Sequence, residues 1–173
     1  QLEKDYGFNC IYLDVNEKGV VDINQLKSVL NDDVILVSIM YVNNETGAIQ
    51  PIKEISEICK AYPGVILHVD AVQAFAHIPI DMQVLDGVDL LSVSGHKFGT
   101  PKGIGFLYIK KEVQKYLRPL IYGNQEHGLR GGTENVPYII ALGEAIRCIN
   151  YNNSSLINTR QYFENKLIKL GFI

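Results

Sequence analysis

Two charged residues end apolar runs in this chain: Asp70 closes VILHVD, and Lys97 follows DLLSVSGH. Short apolar runs bounded by turn residues read as buried strands, so a carboxylate and an amine at their carboxyl ends need a shared reason. That edge of an open α/β sheet is where ligands bind. One ligand that demands both groups is pyridoxal phosphate. Its aldehyde is held as a Schiff base by a lysine, and its pyridinium nitrogen needs an acidic partner to keep the proton that makes the ring an electron sink. Asp70 and Lys97 fit those two roles.

Their neighbours extend the pattern. Ser94 and His96 precede Lys97 in SVSGHKFGTPKGIG and suit a phosphate. Gln73, three residues after Asp70 in HVDAVQ, can reach the phenolic oxygen of the same ring, and Asn44 in VNNETGAIQP follows another apolar run and suits a similar task. With VNNETG, HVDAVQ, SGHKFGTPKGIG and QEHGLRGGTENV in this order, the chain resembles the class V aminotransferases, and within them the cysteine desulfurases. The resemblance implies a three-layer α/β/α large domain with a mostly parallel sheet. It makes Lys97 the Schiff-base lysine, Asp70 the pyridinium partner, Asn44 and Gln73 ligands of the phenolic oxygen, and Ser94 and His96 phosphate ligands. Thr133, in RGGTEN, looks like the threonine that reaches the cofactor phosphate of the partner subunit in a homodimer.

The same resemblance implies a longer protein. Residues 1–173 would be part of the cofactor-binding domain, with 154–173 beginning the connection to a smaller C-terminal domain. An earlier segment would carry a phosphate-binding loop and a ring-stacking histidine. The smaller domain would carry a substrate-carboxylate arginine and a mobile-loop cysteine. The piece alone is then expected not to turn over. The implied activity converts L-cysteine to L-alanine and passes the sulfur to an enzyme cysteine, for iron–sulfur clusters or tRNA thiolation through a sulfur-acceptor or scaffold protein. Another class V aminotransferase or lyase, or a catalytically silent scaffold, remains open at this point, because fold and shared cofactor motifs do not fix function.

Each candidate also has a plainer reading. Lys97 alone would pass for a surface lysine, but Gly99, Pro101, Gly103 and Gly105 around it allow close backbone approach to a ligand. Asp70 has the alternative of capping a helix after its strand, and Asn44 that of a turn residue. His68, between Leu67 and Val69, reads as a satisfied sheet histidine. Arg130 either binds an anion or pairs with Glu126 or Glu134. Cys10, Cys59 and Cys148 are too far apart for zinc or dithiol chemistry. Cys59 and Cys148 both read as inert buried thiols on helices.

Composition fits a chain able to build a substantial core: 173 residues, 47% hydrophobic, formal charge −3. Basic residues are scattered among acidic ones, so nothing points to nucleic acid. The longest apolar runs fall far short of the roughly 20 residues of a membrane span, and the cytoplasm is the expected compartment. Strand and helix patterns alternate as in α/β proteins. NCIYLDV is expected as a first strand and DINQLKSVL as a helix capped by Asp22. VILVSIMYV is expected as a strand covered on both faces. A helix with Pro51 in its first turn comes after it. The strands ending at Asp70 and Lys97 are next, then a strand over GIGFLYIKK and two closing helices, NVPYIIALGEAIRCINYN and SSLINTRQYFENKLIKL.

Overall fold

The computed structural model describes residues 2–172. Among them, four strands form one sheet: β1 (Leu36–Met40), β2 (Ile66–Asp70), β3 (Leu90–Ser94) and β4 (Gly105–Ile109), side by side in chain order. The first three are parallel and β4 is antiparallel to β3. This is the mostly parallel α/β architecture the alternation implies. The reversal at β4 arises from the glycine-rich turn between β3 and β4, which is too short for a crossover helix. Gly105 must be glycine, because a Cβ there would lie 2.4 Å from the Val93 carbonyl oxygen.

Five α-helices accompany the sheet among the described residues: α1 (Leu2–Tyr6), α2 (Ile23–Val29), α3 (Ile52–Cys59), α4 (Val136–Arg147) and α5 (Ser154–Lys169). Asp22 caps α2 as expected, its carboxylate accepting from the backbone of Asn24 and Gln25. Pro51 takes the N-cap of α3, so the first helical residue is Ile52. Ile52, Ile55, Ser56 and Cys59 are buried at helical spacing. They join Leu26 and Leu30 against Val37, Ile39, Leu67, Val69, Leu91 and Val93, which alternate along β1, β2 and β3. That face of the sheet is the core.

The opposite face differs from expectation. VILVSIMYV is covered on one side, not both: Val37 and Ile39 are buried while Leu36 is 44% exposed. NCIYLDV forms no strand. Among the described residues β1 pairs only with β2, and residues 9–14 do not pair with its free edge. Backbone groups of this segment bond elsewhere, Cys10 N–H donating to the Glu3 carboxylate and Asp14 N–H to the Gln25 amide oxygen. Tyr12 is 81% exposed in consequence. The two closing helices form where expected. In α4 only Leu142 is buried, and α5 buries none of its residues.

Candidate functional site

Because β1, β2 and β3 run parallel, their carboxyl ends share one edge of the sheet, and six of the seven candidates stand at or just beyond it. Asp70 is the last residue of β2, in register with Met40 of β1 and Ser92 of β3. Ser94 is the last residue of β3. The chain then tightens into a 3₁₀ turn, Gly95–Phe98, that carries His96 and Lys97 and stops at Gly99 in the left-handed region (φ 102°). The turn is set by packing. A Cβ on Gly95 would meet the Thr100 hydroxyl at 2.3 Å, and Leu142 of α4 covers the same spot. Phe75, in the turn after β2, lies 5.1 Å from Phe98 and 5.3 Å from Phe106 between ring centres, which ties the Asp70 side of the edge to the Lys97 side.

The polar groups at this edge are only partly committed. Asp70 Oδ1 accepts from Val72 N–H at 2.9 Å. Its turn-capping role and a ligand role are therefore compatible, since the second oxygen has no hydrogen-bond partner among the described residues. Ser94 Oγ lies 2.8 Å from His96 Nδ1, which orients both. Lys97 and Gln73 are half-buried residues, and neither the Lys97 amine nor the Gln73 amide makes a hydrogen bond or ion pair among the described residues.

Asn44 sits in the turn after β1, exposed. The turn chemistry falls to its neighbour: Asn43 Oδ1 accepts from Glu45 N–H and Thr46 N–H, each at 2.9 Å, so Asn43 builds the loop that presents Asn44. Sequence reasoning passed over Asn43, although two asparagines before Glu-Thr-Gly already offered one for the turn and one for presentation. Thr133 stands apart on an exposed loop before α4, and no hydrogen bond joins its side chain to the other candidates. Arg130 pairs with Glu134 at 3.4 Å and donates to the Gly132 carbonyl at 2.8 Å, so it braces that loop.

Outside the edge, Cys59 is buried and its thiol is pushed up to about 11, first by burial and then by Asp89 nearby, so it is inert. Cys148 corrects the expectation that it is buried like Cys59. It is the exposed C-cap of α4, with Glu144 Oε1 3.8 Å from its sulfur, because α4 packs through a seam too narrow to include its last turn. Among the described residues no helix is long and apolar enough to cross a membrane.

The edge therefore gathers a free amine, a half-free carboxylate, a hydroxyl–imidazole pair and two amides, a set able to bind a ring nitrogen, a carbonyl and an anion and to move a proton. A family model described as Aminotransferase class-V matches residues 1–168. A protein named cysteine desulfurase IscS from Methanosarcina thermophila is 47% identical over 95% of this chain and 41% of its own length. One of the same name from Dictyoglomus turgidum is 47% identical over 97% of this chain and 43% of its own. A solved NifS-like protein superposes with a TM-score of 0.88 at 40% identity, over 95% of this chain and 46% of that one. The chain thus spans less than half the length of the relatives it matches. With nearly its whole length matched by the family model, the chain belongs to the class V aminotransferases.

Proposed function

We propose that the protein containing this chain is a pyridoxal phosphate-dependent cysteine desulfurase, that residues 1–173 form part of its cofactor-binding domain, and that α5 begins the connection to a smaller domain. The observation that carries the reading is the pairing of a partner-free, half-buried Lys97 with Asp70 at the carboxyl ends of adjacent parallel strands. The donor set fits the cofactor: Lys97 would hold the aldehyde carbon, Asp70 the ring N–H, Asn44 and Gln73 the phenolic oxygen, and Ser94 with His96 the phosphate. Thr133, exposed and uncommitted, would reach the phosphate of a partner subunit in a homodimer. The cofactor supplies the electron sink that makes bonds at an amino acid's α- and β-carbons labile.

The chain's own residues account for the rest. Asp70 keeps the ring proton in place, its carboxylate fixed by Val72 N–H. The Lys97 amine would move the proton at the substrate α-carbon. Ser94 and His96, tied to each other, hold the anionic end still. The sulfur-accepting thiol lies outside this chain in this reading: Cys59 is buried with a raised pKa, and Cys148 is the C-cap of α4, away from the strand ends that carry Asp70 and Lys97. A cytoplasmic protein delivering sulfur to an acceptor or scaffold for iron–sulfur clusters or tRNA thiolation is the corresponding cellular role; the relatives' names support the desulfurase activity on which it rests.

The test is to supply the full-length protein with pyridoxal phosphate and L-cysteine under reducing conditions and assay alanine and sulfide together. Equal amounts of both are expected. A coloured protein that forms neither product would replace this reading with an aminotransferase or lyase of the same family.

A further inference from the structure

One pleat below Asp70, on the same open face of the sheet, three polar side chains form a continuous line across three strands. Ser38 Oγ of β1 lies 2.8 Å from Nδ1 of His68 in β2, and His68 Nε2 lies 2.7 Å from Ser92 Oγ in β3. Ser92 is the residue in register with Asp70, and His68 precedes Asp70 by one strand period, so both adjoin the carboxylate on its own face. We propose that His68, clamped by Ser38 and Ser92, is a positioning residue for Asp70: it fixes the spacing of β1, β2 and β3 directly beneath the carboxylate and presents an uncharged neighbour to it.

The geometry gives the clamp a specific consequence. Each ring nitrogen has its own serine, so the ring is held at both ends, and any shift of β2 against β1 or β3 breaks a hydrogen bond. The strands' backbone ladder fixes their register but leaves the tilt of a residue at the strand end softer. A side-chain bridge from both neighbouring strands removes that freedom on the open face. Burial lowers the pKa of His68, with Asp70 acting in the opposite direction, so the ring is held toward its neutral form. A cationic imidazolium there would compete with a protonated ring nitrogen for Asp70. A neutral one leaves the carboxylate's negative charge to the ligand. The role of His68 rests on the reading of Asp70 as partner to the cofactor nitrogen.

A double-mutant cycle in the full-length holoenzyme separates the two. His68→Ala, Asp70→Asn and the double variant are compared for kcat and KM on L-cysteine, for the visible absorption of the bound cofactor, and for the affinity of the apoprotein for pyridoxal phosphate. His68→Ala is expected to lower kcat about 10-fold, the low end of what losing an outer orienting partner costs, and to shift the absorption band. In the Asp70→Asn background it is expected to do neither. Equal losses in both backgrounds, or an unchanged spectrum, would overturn the role of His68 while leaving Asp70 as assigned. An Asp70→Asn variant with unchanged turnover, absorption and affinity would remove the reading of Asp70 and the inference with it. If His68→Ala does not fold, Ser92→Ala, which keeps the ring and its Ser38 contact, enters the same cycle with the same two outcomes.

Discussion

The two ends of the same three parallel strands carry similar charges and treat them in opposite ways. At the amino end, Lys60 pairs with Asp86, Lys110 lies 3.7 Å from Asp89 and donates to the Asp86 carbonyl at 2.6 Å, and Asp89 accepts from Leu67 N–H at 2.9 Å. At the carboxyl end, Lys97 has no partner among the described residues and Asp70 commits one oxygen to its own turn. Charges committed to each other hold strands together, whereas charges left open at a crevice are available to a ligand. Position in the sheet, not residue type, separates the two sets.

Substitutions at the two ends should break in different readouts. The largest effect is expected from Lys97→Ala in the full-length protein: turnover falls about 1,000-fold or more and the yellow lysine-bound cofactor band disappears, with the melting curve of the apoprotein unchanged. Retention of that band would remove Lys97 from the site. Asp70→Asn is expected to keep the cofactor bound and slow turnover about 100-fold. Full activity in that variant would leave the electron-sink argument without support.

At the amino end the signs reverse. Asp89→Ala leaves Leu67 N–H unpaired within the core strand and should cost about 1–3 kcal/mol in chemical denaturation while kcat stays at the wild-type value. A drop in kcat at unchanged stability would erase the distinction between the two ends. Lys110→Ala, which removes a 3.7 Å ion pair and one hydrogen bond to the Asp86 carbonyl but leaves Asp89 bonded to Leu67 N–H, should cost about 1 kcal/mol.

The smallest effect concerns pH. Burial holds the folded-state pKa of His68 below its ordinary 6.5, so on acidification the unfolded chain takes up that proton first. The stability it contributes is present above about 6.5 and declines as pH falls through that value toward the folded-state pKa. In His68→Gln this part of the stability–pH slope should vanish, and an unchanged slope would mean that the ring is not held neutral.

Much of the site was legible because its parts are local. Asp70 and Lys97 each end an apolar run, Ser94 and His96 stand within three residues of Lys97, and the order of apolar runs and helical patterns is an α/β order. Each of these is a matter of nearest neighbours along the chain, which composition and period record. NCIYLDV reads as a strand by the same local rules and is not one: a strand exists only where its backbone pairs with another, and residues 9–14 bond elsewhere instead of to the free edge of β1. Cys148 obeys the same spacing logic as Cys59 and ends exposed, since α4 buries one residue where α3 buries four.

What the sequence by itself determined is which residue types stand at each strand end and how they are spaced. The tertiary structure alone decided that three such ends meet at one edge, that Asn43 builds the turn so that Asn44 need not, and that His68 is clamped by Ser38 and Ser92 from strands 30 and 24 residues away. Hydrogen bonds across such separations depend on strand pairing and register, which the whole sheet sets at once and no stretch of sequence contains.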